Sequence, residues 1–225
     1  MSKTIAIIPA RGGSKRLANK NILSLGGIPL IAHSILYAQK NKAIVDDIYV
    51  STDDEAIKKI ALQYGAKVIE RPESLSGDFE PTVSALRHVL ETLDYEVENV
   101  VLLQPTNPLR EEKLLPEVFE IFQSGNYDSL FTVTLNHNKL GKIEANKFIP
   151  INYELGQRSQ DLESLYFENG LLYISKAKLI MKDEIISETA YPFEVNSIFA
   201  NVDIDTQDDL EYAEYLHQKL ITYNS

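Results

Sequence analysis

The feature that most constrains the fold is an alternation of short apolar strands with amphipathic helices along most of the chain. Lys3–Pro9 reads as a nearly continuous apolar strand, the kind buried on both faces of a parallel sheet. After a loop over Ala10–Pro29, a helix is expected from Pro29 to about Lys40, with Leu30, Ile31, Ile35 and Ala38 inward. Asp47–Ser51 follows as a strand. The next helix is expected to begin at Thr52, where Thr52-x-x-Glu55 has the form of a capping box, and to stop at Gly65. Lys67–Glu70 and Asn99–Gln104 read as strands, and Thr82–Leu93 and Glu111–Gln123 as helices. Such alternation predicts an α/β fold with a doubly wound, mostly parallel sheet, whose ligands bind at the carboxyl ends of the strands.

Between Asn136 and Asn169 the pattern weakens and polar residues dominate, so this segment is expected to leave the sheet as an inserted lobe, either a lid or a dimerisation arm. Gly170–Ser175 and Phe199–Ile204 are expected as returning strands, and Thr206–Leu220 as a closing helix. With no internal repeat and no linker, residues 1–225 are expected to form a single domain.

Charge distribution then points to chemistry. The chain carries a net charge of −11, which argues against a nucleic-acid surface. Yet residues 1–45 hold Lys3, Arg11, Lys15, Arg16, Lys20, Lys40 and Lys42 and no acid, the first carboxylate being Asp46. An acidic protein with one purely cationic end is expected to bind an anion there. Cysteine is absent, which rules out disulfides and thiolate metal sites. The first strand leaves no room for a signal peptide ahead of it, and no apolar run nears the ~20 residues of a membrane span, so a cytoplasmic protein is expected.

The loop Pro9-Ala-Arg-Gly-Gly-Ser-Lys-Arg-Leu-Ala-Asn-Lys-Asn21 carries the strongest signal. Gly12 and Gly13 permit a sharp turn whose amides form an anion nest, and Arg11, Lys15 and Lys20 supply the charge for a triphosphate. The loop is not a Walker A motif, for no Gly-Lys-Ser/Thr closes it. The dinucleotide fingerprint is missing too, which removes a dehydrogenase reading.

Ile5-Ala-Ile-Ile-Pro-Ala-Arg-Gly-Gly-Ser-Lys15, continued by Lys20-Asn21, resembles the opening signature of the N-acylneuraminate cytidylyltransferases, the CMP-sialic acid synthetase family. Val50-Ser-Thr-Asp-Asp-Glu55, Arg71-Pro72, Gln104-Pro-Thr-x-Pro-Leu-Arg110, Arg158-x-Gln160-Asp161, Asn169-Gly170 and Asp203-Ile-Asp205 extend the likeness over nearly the whole chain. The resemblance implies a Rossmann-like nucleotidyltransferase in which the anomeric hydroxyl of a nine-carbon 2-keto acid sugar attacks the α-phosphate of CTP and displaces pyrophosphate. It places Arg11, Ser14, Lys15, Lys20 and Asn21 on the nucleotide, with Lys20 near the triphosphate, and Arg71 and Thr82 at the cytidine. Gln104 and Arg158 fall to the acceptor sugar, Arg158 near its carboxylate, with Tyr166, Phe167 and Asn169 as walls. A homodimer is implied, and the extra C-terminal hydrolase domain of some relatives is expected to be absent. Two departures stand out: Ala18 and Glu163 replace prolines common in the family.

Asp203 and Asp205 admit two readings. In a strand, residues i and i+2 share a face, so paired carboxylates there suit Mg²⁺, or Mn²⁺ in its place. Alternatively Asp205 caps the last helix, with Thr206-x-x-Asp209 as a variant box. The resemblance favours the metal, and makes Lys20, Arg11, Asp203 and Asp205 the catalytic group. Asp53-Asp54-Glu55 and Asp208-Asp209 read as helix first turns, where acids favour the dipole. The four histidines show no metal-ligand spacing. Two rivals stand beside this reading: another nucleotidyltransferase of the same fold, acting on an eight-carbon 2-keto sugar as a CMP-KDO synthetase does or on a sugar 1-phosphate, and a non-catalytic nucleotide-binding protein.

Overall fold

Alternate side chains of the first strand face opposite ways, and the fold is built outward from that fact. In the computed structural model, which describes residues 3–223, β1 (Lys3–Pro9) sends Ala6 and Ile8 into one apolar layer and Ile5 and Ile7 into the other. The first layer packs α1 (Leu30–Lys40), α2 (Glu55–Gln63) and α4 (Leu114–Ser124) on the sheet. The second packs α3 (Thr82–Thr92) and the short α5 (Ala177–Ile180) on its other face.

The remaining strands are β2 (Ser24–Leu25), β3 (Ile28–Pro29), β4 (Asp47–Thr52), β5 (Lys67–Glu70), β6 (Val97–Leu102), β7 (Ser129–Asn136), β8 (Gly141–Glu144), β9 (Lys147–Pro150), β10 (Leu165–Lys176) and β11 (Tyr191–Glu194). Six of them join β1 in one sheet, in the order β11-β7-β10-β6-β1-β4-β5. Only β10 runs against its neighbours, pairing antiparallel with β6 and β7, while the other contacts are parallel. The mostly parallel sheet read from the sequence is therefore present. The chain leaves β1 toward β4 and β5, then returns to the other flank of β1 as β6. That reversal makes a crevice at the carboxyl ends of β1 and β6, where open α/β sheets bind ligands.

Three local expectations are corrected. Thr52 stays in β4, paired with Glu70, and does not start a helix. The N-cap of α2 is Asp54, whose Oδ1 accepts the Ile57 N–H at 2.9 Å. Phe199–Ile204 is not a sheet strand: Ile198–Asn201 forms a 3-10 turn, and the residues beyond it run extended beneath the last helix, α6 (Gln207–Tyr223). Phe199, Val202 and Ile204 are buried there with Leu210, Ala213 and Leu216, and an apolar run packed on a helix reads in sequence like one packed in a sheet. The returning strand β10 starts at Leu165, five residues before the expected Gly170, and the antiparallel β8–β9 hairpin stands apart in the polar excursion.

At the opposite end of the sheet from the crevice, Asp47 ties three strands together. Its carboxylate accepts from Lys67 Nζ (2.6 Å), Lys3 Nζ (3.1 Å) and the Tyr95 hydroxyl (3.0 Å). Burial alone would raise its pKa, but the hydrogen bonds from Lys67, Lys3 and Tyr95 outweigh that and hold it below the usual carboxylate value. A depressed carboxylate pKa stabilises the fold above the unfolded-state value, about pH 4, and that contribution is lost as pH falls through the folded value. Asp47→Asn is therefore expected to cost about 1–2 kcal/mol at neutral pH. Urea titrations of both proteins should show the gap closing below about pH 4, and a gap unchanged with pH would remove the ionic explanation.

Candidate active site

The loop after β1 is fixed from behind by acids that follow β4. Asp53 Oδ1 accepts the Gly12 N–H at 2.9 Å. A Cβ at Gly12 would lie 2.8 Å from Asp54 Oδ2, so only glycine lets the two loops close on each other. Asn21, buried, donates from Nδ2 to the Arg11 carbonyl at 3.0 Å, and Asn19 turns through a left-handed φ of 55° just before the 3-10 turn Lys20–Ile22. The outcome is a loop that shows its side chains to the crevice.

A cavity of about 600 Å³ opens there. Arg11, Ser14, Lys15, Lys20, Asn21, Arg71, Thr82, Gln104 and Asp205 line it, so nine sequence-nominated residues from five separate segments meet at one place. Gly12 and Gly13 do not line it. The expected amide nest is corrected to that extent: the Gly12 N–H is held by Asp53, and the Ser14 N–H by the Gly12 carbonyl at 2.9 Å. Cationic side chains, not those two amides, face the space.

Each cation already has an acid that the sequence places far away. Lys20 Nζ lies 2.8 Å from Asp205 Oδ1, with only 13% of its side chain exposed, and Arg16 reaches Asp205 Oδ2 at 2.5 Å. Arg11 NH2 sits 3.2 Å from Asp78, to which Lys15 also pairs, and Arg11 NH1 donates to the Gly77 carbonyl at 2.6 Å. Lys15 and Arg11 hold the Asp78 carboxyl below its ordinary pKa. Gly77, Asp78, Phe79, Glu80 and Pro81 thus form one wall of the cavity, with the Phe79 side chain fully exposed.

Arg71 is pinned differently. It is buried, Nε donates to Ser51 Oγ (3.0 Å) and NH2 to the Ser51 carbonyl (2.7 Å), and burial lowers its pKa. It is a rigid donor on the cavity wall, beside the start of α3 at Thr82.

Asp203 and Asp205 sit on the extended segment beneath α6, on either side of the buried Ile204, and no sheet strand holds them. The Ile204 N–H donates to the Thr106 carbonyl at 2.9 Å, and Asn107 Nδ2 donates to the Val202 carbonyl at 2.9 Å. The capping alternative is also decided. Asp209 Oδ2 accepts the Thr206 N–H (2.8 Å) and the Asp205 N–H (3.0 Å), and the Asp209 N–H donates to Thr206 Oγ1 (3.3 Å). Thr206 and Asp209 cap α6, which leaves the Asp205 side chain to the cations. Asp203 remains open to solvent outside the cavity lining, yet the protein packed about its carboxyl, and then the Asp205 charge, push its pKa up.

The other proposed sugar contacts are placed elsewhere. Arg158 lies on the excursion, exposed and bidentate to Asp161 at 2.7 and 3.0 Å, away from the cavity lining. Tyr166 and Phe167 are exposed on β10, the Tyr166 hydroxyl donating to Glu194 at 3.2 Å. Asn169 is buried, and its amide is spent on Thr132 (2.6 Å), Thr134 (3.0 Å) and the Leu171 N–H (3.1 Å). Sequence reasoning missed Arg16, Asp78, Thr106 and Tyr173. Arg16 was visible among the unopposed cations; the Tyr173 hydroxyl, which donates to Glu168 at 3.3 Å and lies beside Gln104, needed the register of β10 against β6.

Comparison with known proteins settles the class. Residues 5–225 match the sequence model of a family described as cytidylyltransferase. The chain belongs to that family. It is a nucleotidyltransferase, and its relatives divide by sugar. A pseudaminic acid cytidylyltransferase of Campylobacter jejuni is 35% identical over 96% of this chain and 97% of its own length. A CMP-N,N'-diacetyllegionaminic acid synthase of Legionella pneumophila is 34% identical over 95% of this chain and 96% of its own. An N-acylneuraminate cytidylyltransferase of Streptococcus agalactiae is 35% identical over 92% of this chain but 51% of its own length. Among solved structures, a CMP:2-keto-3-deoxy-manno-octonic acid synthetase complexed with CTP has the same fold, with a TM-score of 0.73, 19% identity, and coverage of 97% of this chain and 99% of that one. No helix among the described residues is long and apolar enough to cross a membrane.

Proposed function

We propose that this cytidylyltransferase joins CMP from CTP to a free nonulosonic acid, a nine-carbon 2-keto acid sugar, and releases pyrophosphate. One observation carries the reading: four cations of a single loop, Arg11, Lys15, Arg16 and Lys20, face one cavity that also takes in Gln104 and Asp205. The curated relatives supply the sugar class, and all of those named above activate acids of that kind.

In this mechanism Arg11 and Lys15 exchange Asp78 for the β- and γ-phosphates, a trade of one carboxylate for a more highly charged anion. Lys20 neutralises charge at the α-phosphate as the bond to pyrophosphate breaks. Arg71, immobilised by Ser51, donates to the cytosine, and Thr82 borders the nucleoside. Gln104 orients the sugar so that its anomeric oxygen meets the α-phosphorus in line.

Asp203 and Asp205 suit a divalent cation. Burial and then the like charge of Asp205 push the Asp203 pKa up, a conflict that a bound cation would relieve. Among the described residues no group of three or more acidic or histidine side chains is placed to hold a metal ion, and two carboxylates would leave Mg²⁺, or Mn²⁺, positions for phosphate oxygens and water. When bound, the ion would shield the α-phosphate and lower the pKa of the attacking sugar hydroxyl.

The excursion exposes Ile143, Phe148, Ile151 and Leu155, and a second copy of this chain is the partner proposed to cover them in a homodimer. The cytoplasm, where CTP is made, is the compartment that suits this chemistry.

The test is pyrophosphate release from CTP and Mg²⁺ with neuraminic, legionaminic, pseudaminic and eight-carbon 2-keto acids offered separately. One nine-carbon acid is expected to react in preference to the others. Turnover of the eight-carbon acid alone would move the assignment to the CMP-KDO class, and no turnover with any acid would leave only nucleotide binding.

A further inference from the structure

Arg110 closes the Gln104–Arg110 segment and is 3% exposed, yet no carboxylate pairs with it among the described residues. A buried cation with no carboxylate is costly even with the Tyr37 ring 5.7 Å from its Cζ, and an apolar side chain of similar volume would fill the same space with less penalty. What the guanidinium does instead is visible in its three bonds. NH2 donates to the Gln104 carbonyl at 2.8 Å, Nε to the Leu171 carbonyl at 2.6 Å, and NH1 to Ser34 Oγ at 3.1 Å. These acceptors belong to the loop just after β6, to β10 and to α1. The Leu171 carbonyl lies within the irregularity of β10 between Glu168 and Tyr173, where pairing with β7 is interrupted and Gly170 takes a φ of 75°. Arg110 therefore grips the backbone beneath two neighbouring groups: Gln104, which lines the cavity, and Tyr173, whose hydroxyl lies beside Gln104.

We propose that Arg110 is a positioning residue for the acceptor end of the site, holding Gln104 and the β10 irregularity in register and adding a fixed positive charge behind the place where an anionic sugar binds. The inference rests on the substrate reading above. Its consequence is selective. Arg110 touches nothing at the nucleotide end, where Arg11, Arg71 and Lys20 are anchored by Gly77, Ser51 and Asp205. Lysine keeps the charge but cannot span three acceptors with a fixed fork, so charge and geometry are separable.

The experiment measures KM for sugar and for CTP separately, with Tm as a control, in wild type, Arg110→Lys, Arg110→Gln and Ser34→Ala, and in Arg110→Lys combined with Gln104→Ala. Arg110→Gln is expected to raise the sugar KM at least ~10-fold while the CTP KM stays within about threefold, since small misplacements of a positioning group cost that order. Arg110→Lys should fall between it and wild type. Ser34→Ala, which loosens NH1 with the loss of one hydroxyl, gives a smaller change of the same sign and serves if the arginine variants do not fold. The double variant should be worse than Gln104→Ala by less than the Arg110→Lys effect alone, because Arg110 acts in part through Gln104. Equal rises in both KM values, additive double effects, or unchanged sugar KM in every folded variant would overturn the proposal. A wild-type protein inert toward every acid would overturn the substrate reading instead, and this inference with it.

Discussion

Asp205→Asn is expected to lower kcat by about 10²–10³-fold while moving Tm by no more than a few degrees. The two roles open to this residue in the sequence predict opposite results. A capping aspartate, when lost, destabilises its helix; a carboxylate that only organises charge does not. Here the start of α6 is held by Thr206 and Asp209, which satisfy one another and the Asp205 N–H without the Asp205 side chain. The carboxylate instead faces Lys20 and Arg16. Asparagine keeps the shape, removes the charge and takes from Asp203 the stronger of its like-charged neighbours, so divalent-cation affinity should fall with turnover. Calorimetric titration with Mn²⁺ in the presence of a non-hydrolysable CTP analogue reads that directly. A variant that unfolds readily but keeps full kcat when folded would return Asp205 to a structural role.

Lys20→Ala is expected to be as severe, about 10²–10³-fold in kcat/KM for CTP. Lys20 is the most shielded cation of the loop, at 13% side-chain exposure against 76% for Lys15, and field strength rises as water is excluded. Lys15→Ala should therefore cost much less. Lys20→Arg is expected to recover little, since the guanidinium fork cannot occupy the space of a compact ammonium seated against Asp205. Lys20 and Asp205 are in direct contact, so their combined loss should be less than the product of the single losses. Losses that multiplied fully would show that the two act independently.

Much of this molecule is legible in its sequence. The strands Lys3–Pro9 and Lys67–Glu70 lie at their expected bounds, because continuous apolar or β-branched runs flanked by glycine and proline have few other uses. Strand β7 and edge strand β11 lie outside the expected elements; the latter carries Pro192 and pairs on one side only, which makes it nearly silent in composition. Thr52 satisfied a local capping rule but lost to the register of β4 with β5. Arg71, Gln104 and Lys20 could be nominated from motifs, whereas Asp78 could not, since nothing in its local sequence points to Arg11 and Lys15.

The sequence by itself determined the sheet type, the cationic loop after the first strand and the family, because periodicity and motif spacing are local properties of the chain. The tertiary structure alone decided which acids meet those cations, that Asp205 is free of the helix cap, that Arg158 lies away from the cavity within one chain, and that Arg110 is a buried cation serving three carbonyl or hydroxyl oxygens. The physical reason is range. Hydrogen bonding to neighbours in sequence and hydrophobic period act over a few residues, but the contact that joins Lys20 to Asp205 spans 185 positions and exists only once the sheet has brought the two ends of the chain together.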